Sequence, residues 1–241
     1  MKPRLFRLVV AALAVAGLLT LSPRASADTI SLNLTAGSTS VSYKPNGGSV
    51  VSVGGGPFHW TQTTPINTNY ASAITTYCID LNHGVTSGTY TTQSNLALAP
   101  TIGTAAKGSA ITELFDRYYT SSLTSSANSS AFQLALWELV YDGATSKSLT
   151  AGSIQGDTAQ AYTAQAQSML NSLGSGPFVK HDLATSHLEA LVSSNGNQDQ
   201  IVVVPNAAKG VPAPPAVMLA GIGVLALFGR ARWTRRTPAA A

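Results

Sequence analysis

The spacing of apolar residues changes along this chain, and that change limits the possible folds more than any other feature. Residues 30–53 and 73–81 alternate apolar and polar side chains between turns rich in Gly and Asn, which predicts strands joined by hairpins. Residues 109–173 show helical spacing, and residues 200–204 return to a strand pattern. The sequence therefore predicts an α+β, mainly β fold: an antiparallel β-barrel or sandwich with an inserted helical subdomain of two to three helices.

Three helices are predicted in the central region. The first spans residues 109–119. The second begins after a cap at Ser129 or Ser130 and ends near Tyr141, because Gly143 follows. The third spans residues 158–173 with Asp157 as its cap. Shorter segments are predicted as a turn at residues 54–57, a strand at residues 178–179 and a helix or turn at residues 186–192.

The N-terminal segment has the organisation of a secretory signal peptide. An uncharged apolar run at residues 8–21 follows a basic start and precedes the small residues of Ala25-Ser26-Ala27. The basic residues of the start are Lys2, Arg4 and Arg7. We expect residues 1–27 to be removed by cleavage between Ala27 and Asp28, which leaves residues 28–205 as one exported domain.

The C-terminal segment carries a second set of targeting signals. A linker at residues 206–215 leads to a short apolar helix at residues 216–229 and a basic, cytoplasmic tail at residues 230–241. The residues that define this order are Val211, Pro212, Pro214, Arg230, Arg232, Arg235 and Arg236. The segment resembles the PEP-CTERM sorting tail, although Ala213 stands where that family most often has Glu.

The resemblance to this tail implies a route through the cell envelope. In that family the tail anchors the protein transiently in the inner membrane, and an exosortase-type enzyme then processes it. The expected destination is the outer surface or the extracellular matrix of a Gram-negative bacterium.

The formal charge of +4 comes from the two targeting segments. Residues 25–229 hold six basic residues and all ten acidic ones, which gives this part of the chain a net charge of −4. Nucleic-acid binding requires clustered Lys and Arg, so composition excludes a nucleic-acid partner.

Cys78 is the only cysteine and lies on a predicted strand. A single cysteine cannot form an internal disulfide, and an unpaired Cys is often a small buried apolar residue. Gln133 and Trp137 are four residues apart on the second predicted helix and therefore share a face. A Gln among apolar neighbours must have its amide hydrogen-bonded or chemically consumed. A hydrogen bond to a strand is the simpler of these alternatives.

Two short motifs give Cys78 and Gln133 a joint role. Tyr77-Cys78-Ile79-Asp80 and, further along, Phe132-Gln133-Leu134-Ala135-Leu136-Trp137 resemble the strand and helix motifs of bacterial thioester domains. The match covers residues 58–142. That resemblance implies a Cys78–Gln133 internal thioester, with Tyr77, Asp80 and Trp137 as supporting residues. The best-known members are Gram-positive adhesins, whereas the tail of this chain is typical of Gram-negative bacteria.

The chemistry implied by the resemblance is a single-use cross-link. The Cys78 thiolate attacks the side-chain carbonyl of Gln133 and ammonia leaves. A low thiol pKa would favour this step, and an ionised Asp80 nearby would oppose it. An amine or hydroxyl on a polysaccharide or a surface protein then attacks the acyl carbon. Such a protein turns nothing over, so no enzyme activity, cofactor or metal is expected.

Two other functions compete with the thioester hypothesis. A non-reactive structural protein of the extracellular matrix or biofilm would have the same fold and a merely buried Cys78. A secreted cysteine hydrolase would need Cys78 beside a histidine, the candidates being His83, His181 and His187. The carboxylates on the predicted helices are interpreted as solvated charges: Glu113, Asp116, Glu138 and Asp142.

Overall fold

The computed structural model describes residues 28–64, 66–174 and 182–206. The predicted signal peptide, the linker from residue 207, the sorting motif, the membrane helix, the basic tail and the strand at residues 178–179 lie outside these ranges. Within the described ranges, no helix combines the length and the apolar character needed to cross a bilayer.

A closed antiparallel barrel of six strands forms the body of the domain, which confirms the predicted mainly β fold. Its strands follow the order β1-β4-β5-β9-β8-β6 around the barrel. Their bounds are β1 Thr29–Ala36, β4 Phe58–Gln62, β5 Ala73–Cys78, β6 Gly88–Gln93, β8 Ser186–Ser193 and β9 Gln200–Pro205. Closure leaves the barrel without free edges, and its alternating apolar residues fill the interior.

Polar side chains inside the barrel form hydrogen bonds with one another. The indole Nε1–H of Trp60 donates to Thr76 Oγ1 at 2.8 Å, and Thr76 Oγ1 donates to Gln200 Oε1 at 3.0 Å. All three side chains are buried. Because buried polar atoms without partners are costly, this chain of bonds stabilises the packing inside the barrel.

A smaller sheet of three strands has the order β3-β2-β7. Its strands are β2 Thr39–Pro45, β3 Val51–Gly55 and β7 Ile154–Gly156. Since β3 pairs only with β2, it is an edge strand of this sheet. The sequence pattern predicted the region of β2 and β3 but not β7, because three residues are too few to establish a period.

The described residues also form three α-helices: α1 Ala105–Ser122, α2 Ser126–Tyr141 and α3 Ala161–Ser172. The Ser125 side chain caps α2 by accepting from Asn128 N–H, and Gly143 follows the helix with a φ of +93°. Every residue of α2 from Ser129 to Val140 is buried. A helix that is apolar on all sides packs at the centre of a protein, and α2 contacts α1, α3 and strands of both sheets.

Two sequence predictions differ from the structure in this region. Residues 186–192, predicted as a helix or turn, belong to strand β8, which pairs with both β6 and β9. The local pattern was ambiguous, and long-range pairing decided it. The helices also start elsewhere: α1 begins four residues earlier than predicted, and α3 follows Gln160 without a side-chain cap. The predicted cap of α2 at Ser129 or Ser130 is wrong, because Ser125 caps that helix.

The aromatic cluster between α1, α2 and β5 should supply much of the stability. The Phe132 ring is 4.6 Å from that of Tyr77 and 4.9 Å from that of Phe115, and all three are fully buried. We expect Phe132→Ala to lower the free energy of unfolding by about 3–5 kcal/mol, as measured by urea denaturation. Leu98→Ala is the control, because Leu98 is 64% exposed and its loss should change stability by less than about 0.5 kcal/mol.

Candidate functional site

Cys78 and Gln133 are brought together, and hydrogen bonds link them directly. Cys78 is the last residue of β5, and its N–H donates to Gln133 Oε1 at 3.1 Å. Gln133 Nε2 donates to the carbonyl oxygen of Cys78 at 2.7 Å. Gly56, just after β3, donates its N–H to the same Oε1 at 2.8 Å. The amide of Gln133 is therefore held by both backbone groups of Cys78 and by the backbone N–H of Gly56.

The side-chain carbonyl of Gln133 thus accepts two backbone N–H groups, from Gly56 and Cys78. Gln133 and Cys78 both have 0% of their surface exposed. Two N–H donors that converge on one oxygen in a dry site form the arrangement that stabilises negative charge on a carbonyl oxygen during acyl transfer. Sequence reasoning identified Cys78 and Gln133 as partners, but it did not identify Gly56 as a donor.

Glycines cover the Gln133 side chain. A Cβ on Gly55 would lie 2.7 Å from Gln133 Cγ and 2.8 Å from Val41 Cγ2. A Cβ on Gly56 would lie 2.5 Å from a ring carbon of Tyr77. Residues 54–57 were predicted as a turn, but Gly55 ends strand β3 and both glycines are buried. The sequence shows the run of glycines, but only the structure shows that they allow the backbone to approach buried side chains closely.

Burial dominates the properties of the thiol. Cys78 Sγ donates to the carbonyl oxygen of Asp80 at 3.0 Å. Burial raises the pKa of the Cys78 thiol to about 12; the polar indole N–H of Trp137 lowers it, and the nearby Asp80 carboxylate raises it. The site therefore does not provide the low thiol pKa that would favour attack, because the desolvation of a thiolate outweighs the neighbouring polar groups that favour it.

Asp80 holds the chain after β5 in place. Its carboxylate accepts from Asn82 N–H at 2.8 Å and lies 2.6 Å from His83 Nδ1. His83 therefore pairs with Asp80, while the thiol hydrogen of Cys78 goes to the Asp80 backbone. His187 lies against Asn206 and Glu189 in another part of the barrel. His181 lies outside the described residues.

The supporting aromatic residues lie on different sides of the site. Tyr77 points away from Cys78 along the strand and packs in the cluster with Phe132, while its hydroxyl bonds to Ser122. Trp137 packs against Tyr43, with ring centroids 5.7 Å apart, and is fully buried. Tyr43 is a neighbour that the sequence did not identify, because β2 meets α2 only in the tertiary structure.

The prediction of solvated carboxylates on the helices is wrong for Glu138 and Asp116, both of which are 0% exposed. Asp116 Oδ1 accepts from Leu183 N–H. Glu138 Oε1 accepts from Ser148 N–H, and its Oε2 has no hydrogen-bond partner in the described part of the chain. Burial, followed by the charge of Asp142, raises the pKa of Glu138 to about 8. Periodicity did not predict the burial of Glu138, because α2 is covered on all sides and has no solvated face from Ser129 to Val140.

No family model, no curated protein and no solved structure matches this chain. Among the described residues there is also no group of three or more His, Cys, Asp or Glu side chains arranged to hold a metal ion. The function is therefore inferred from the residues and their geometry.

Substitution of Gly55 should disturb the Gln133 amide. We expect Gly55→Ala to lower the free energy of unfolding by about 1–3 kcal/mol, because the new methyl group overlaps two buried side chains. Urea denaturation measures the change. Gly84→Ala is the matched control, since a Cβ there meets nothing within 4 Å. Equal stability of the two variants would contradict the close contact.

Glu138 should make stability depend on pH. Its pKa is about 8 in the folded protein and 4.5 in the unfolded chain, so the folded state holds an extra proton between these values. Stability therefore falls as pH rises from about 4.5 to 8. Glu138→Gln should remove this loss, so its melting temperature should exceed that of the wild type by an amount that grows from pH 5 to pH 8.

The control for this pH effect is Glu113→Gln. Glu113 is paired with Arg117 and accepts from Gly174 N–H, so its removal should not add stability as pH rises. A Glu138→Gln curve parallel to the wild-type curve across this range would show that the carboxyl group does not titrate as described.

Proposed function

We propose that Cys78 and Gln133 form an internal thioester, through which the exported protein attaches covalently to a partner. The partner class is an extracellular polysaccharide or a surface protein with an available amine or hydroxyl. The observation that carries the proposal is the placement of the Gln133 amide on the backbone of Cys78, with its carbonyl oxygen between two N–H donors.

Formation of the thioester replaces the C–N bond of the Gln133 side-chain amide with a C–S bond to Cys78. The sulfur of Cys78 adds to the amide carbon of Gln133, and negative charge develops on Oε1. The N–H groups of Gly56 and Cys78 already point at that oxygen, so they stabilise the charge without reorganisation. The C–N bond then breaks, the thiol proton goes to the departing nitrogen, and ammonia leaves.

The raised pKa of Cys78 sets the condition for this step. A thiol with a pKa of about 12 is almost entirely protonated at neutral pH, so the free thiolate is scarce. The thiol must leave its hydrogen bond to Asp80 O and transfer its proton during the attack. Dry surroundings then protect the product, because water cannot reach a fully buried acyl carbon.

Opening of the thioester requires access to the covered site. Gly55 lies against the Gln133 side chain and the N–H of Gly56 contacts its carbonyl oxygen, while the preceding Gly54 is exposed. Strand β3 ends at Gly55 and is held on one edge only. Displacement of β3 would admit an amine or hydroxyl, which forms an amide or ester with residue 133 and releases the Cys78 thiol.

The targeting segments support a surface location. The signal peptide and the PEP-CTERM-like tail predict export, transient anchoring in the inner membrane and processing by an exosortase-type enzyme. The exported domain would then reach the outer surface or matrix of a Gram-negative bacterium, where amines and sugar hydroxyls are abundant. These segments lie outside the described residues, so this part of the proposal rests on the sequence.

A non-reactive matrix protein is the second candidate, and one observation favours it. The unreacted Gln133 amide already hydrogen-bonds to the backbone of Cys78 and of Gly56, so it also serves as a structural bridge between β5 and the segment that joins β3 to β4. The two candidates differ in one covalent bond, and mass measurement separates them.

Intact mass of the purified exported protein tests the thioester. The wild type should be lighter than its sequence mass by one ammonia, and Cys78→Ala and Gln133→Ala should each show their full mass. Methylamine should then add to the wild type and expose one titratable thiol. A wild type at full mass, with a thiol that reacts on unfolding without methylamine, would refute the thioester and leave the structural role.

A further inference from the structure

The indole N–H of Trp137 is a buried polar group without a hydrogen-bond partner in the described part of the chain. Trp137 is 0% exposed and its Nε1 is fully covered. Trp60, also fully buried, donates its N–H to Thr76 at 2.8 Å, which is the usual outcome. A buried donor left unused destabilises the folded state, so its retention indicates a use in another state of the site.

The position of Trp137 indicates what that use is. Trp137 follows Gln133 by one helical turn, so both side chains leave α2 on the same face. Gln133 hydrogen-bonds both backbone groups of Cys78, so the next side chain on that face, Trp137, faces the same region while Tyr43 packs against its ring. Burial raises the pKa of the Cys78 thiol, and the Trp137 N–H lowers it. The thiol gives its own hydrogen to Asp80 O, which leaves the sulfur lone pairs available to accept one.

We infer that Trp137 Nε1–H donates a hydrogen bond to the sulfur of Cys78 when the thioester opens, and so stabilises the leaving group. This inference rests on the proposed function. An amine nitrogen adds to the acyl carbon of residue 133, and the electron pair of the C–S bond passes to sulfur. The proton lost by the amine then reaches that sulfur, which gives a substituted amide and the Cys78 thiol.

The donor matters most while the sulfur is negatively charged. Hydrogen bonds to ions are about twice as strong as those between neutral groups, and a water-free site strengthens them further. The Gly56 and Cys78 N–H groups act on the carbonyl oxygen, whereas Trp137 acts on the sulfur. The two sets of donors therefore stabilise the two atoms that gain charge in the reaction.

Trp137→Phe tests the inference on the full exported protein, with methylamine as the amine. The thioester should still form, and conversion to the methylamine adduct, followed by intact mass, should be about ten- to a hundredfold slower than in the wild type. Trp60→Phe is the matched control: it also removes a buried indole N–H, but one bonded to Thr76 in the barrel. Its opening rate should equal that of the wild type.

A second variant separates loss of the N–H from loss of packing. β-(3-Benzothienyl)alanine at position 137 keeps the bicyclic ring and replaces only the N–H by sulfur, so it should open as slowly as Trp137→Phe. In the wild type, methylamine should shift the indole N–H resonance of Trp137 and leave that of Trp60 in place.

Two outcomes would count against different claims. A thioester that forms in all proteins and opens at the same rate in the wild type and both Trp137 variants overturns the role of Trp137 alone. A wild type that has lost no ammonia overturns the proposed function and the inference together.

Discussion

A buried amide inserted between two strands joins the helical layer of this protein to its barrel. The pairing of strands β4 and β5 ends at Phe58 and Thr76. Beyond that pair, Gln133 hydrogen-bonds to both Gly56 and Cys78 and so bridges the two segments. Helix α2 must therefore lie at a fixed depth and rotation. The glycines at 55 and 56 are required because any side chain there would occupy the space of that amide or of Tyr77.

Desolvation is the physical effect that gives the site its character. It raises the pKa of Cys78 to about 12 and that of Glu138 to about 8. Near neutral pH Glu138 therefore holds a proton that it would lose in water, and the Cys78 thiolate is even scarcer than it would be in water. A buried neutral thiol is protected from solvent and from chance oxidants. In the proposed reaction the same burial protects the thioester, and the backbone N–H donors replace the activation that a low thiol pKa would otherwise provide.

The sequence predicted much of this arrangement. Period-two alternation indicated the barrel strands, and placed Cys78 on the face opposite Tyr77. The helix motif indicated Gln133 and Trp137 on one face of α2. Prediction failed where local pattern and long-range contact disagree: β8 has a sequence compatible with a turn of helix, and only pairing with β6 and β9 makes it a strand. Glu138 was misjudged for the same reason, because nothing local reveals that α2 is covered on all sides.

The sequence by itself determined the mainly β fold class, the helical insertion and the identity of the two residues proposed to react. The fold class and the insertion follow from the periodicity of apolar residues, which is a local property, and the reacting pair is what the resemblance of two short motifs to thioester domains implies. The tertiary structure decided that the Gln133 amide meets the backbone of Cys78, that Gly56 provides a second donor, and that the Trp137 N–H has no hydrogen-bond partner among the described residues. Each of these depends on the distance between segments far apart in the chain, which no local pattern encodes.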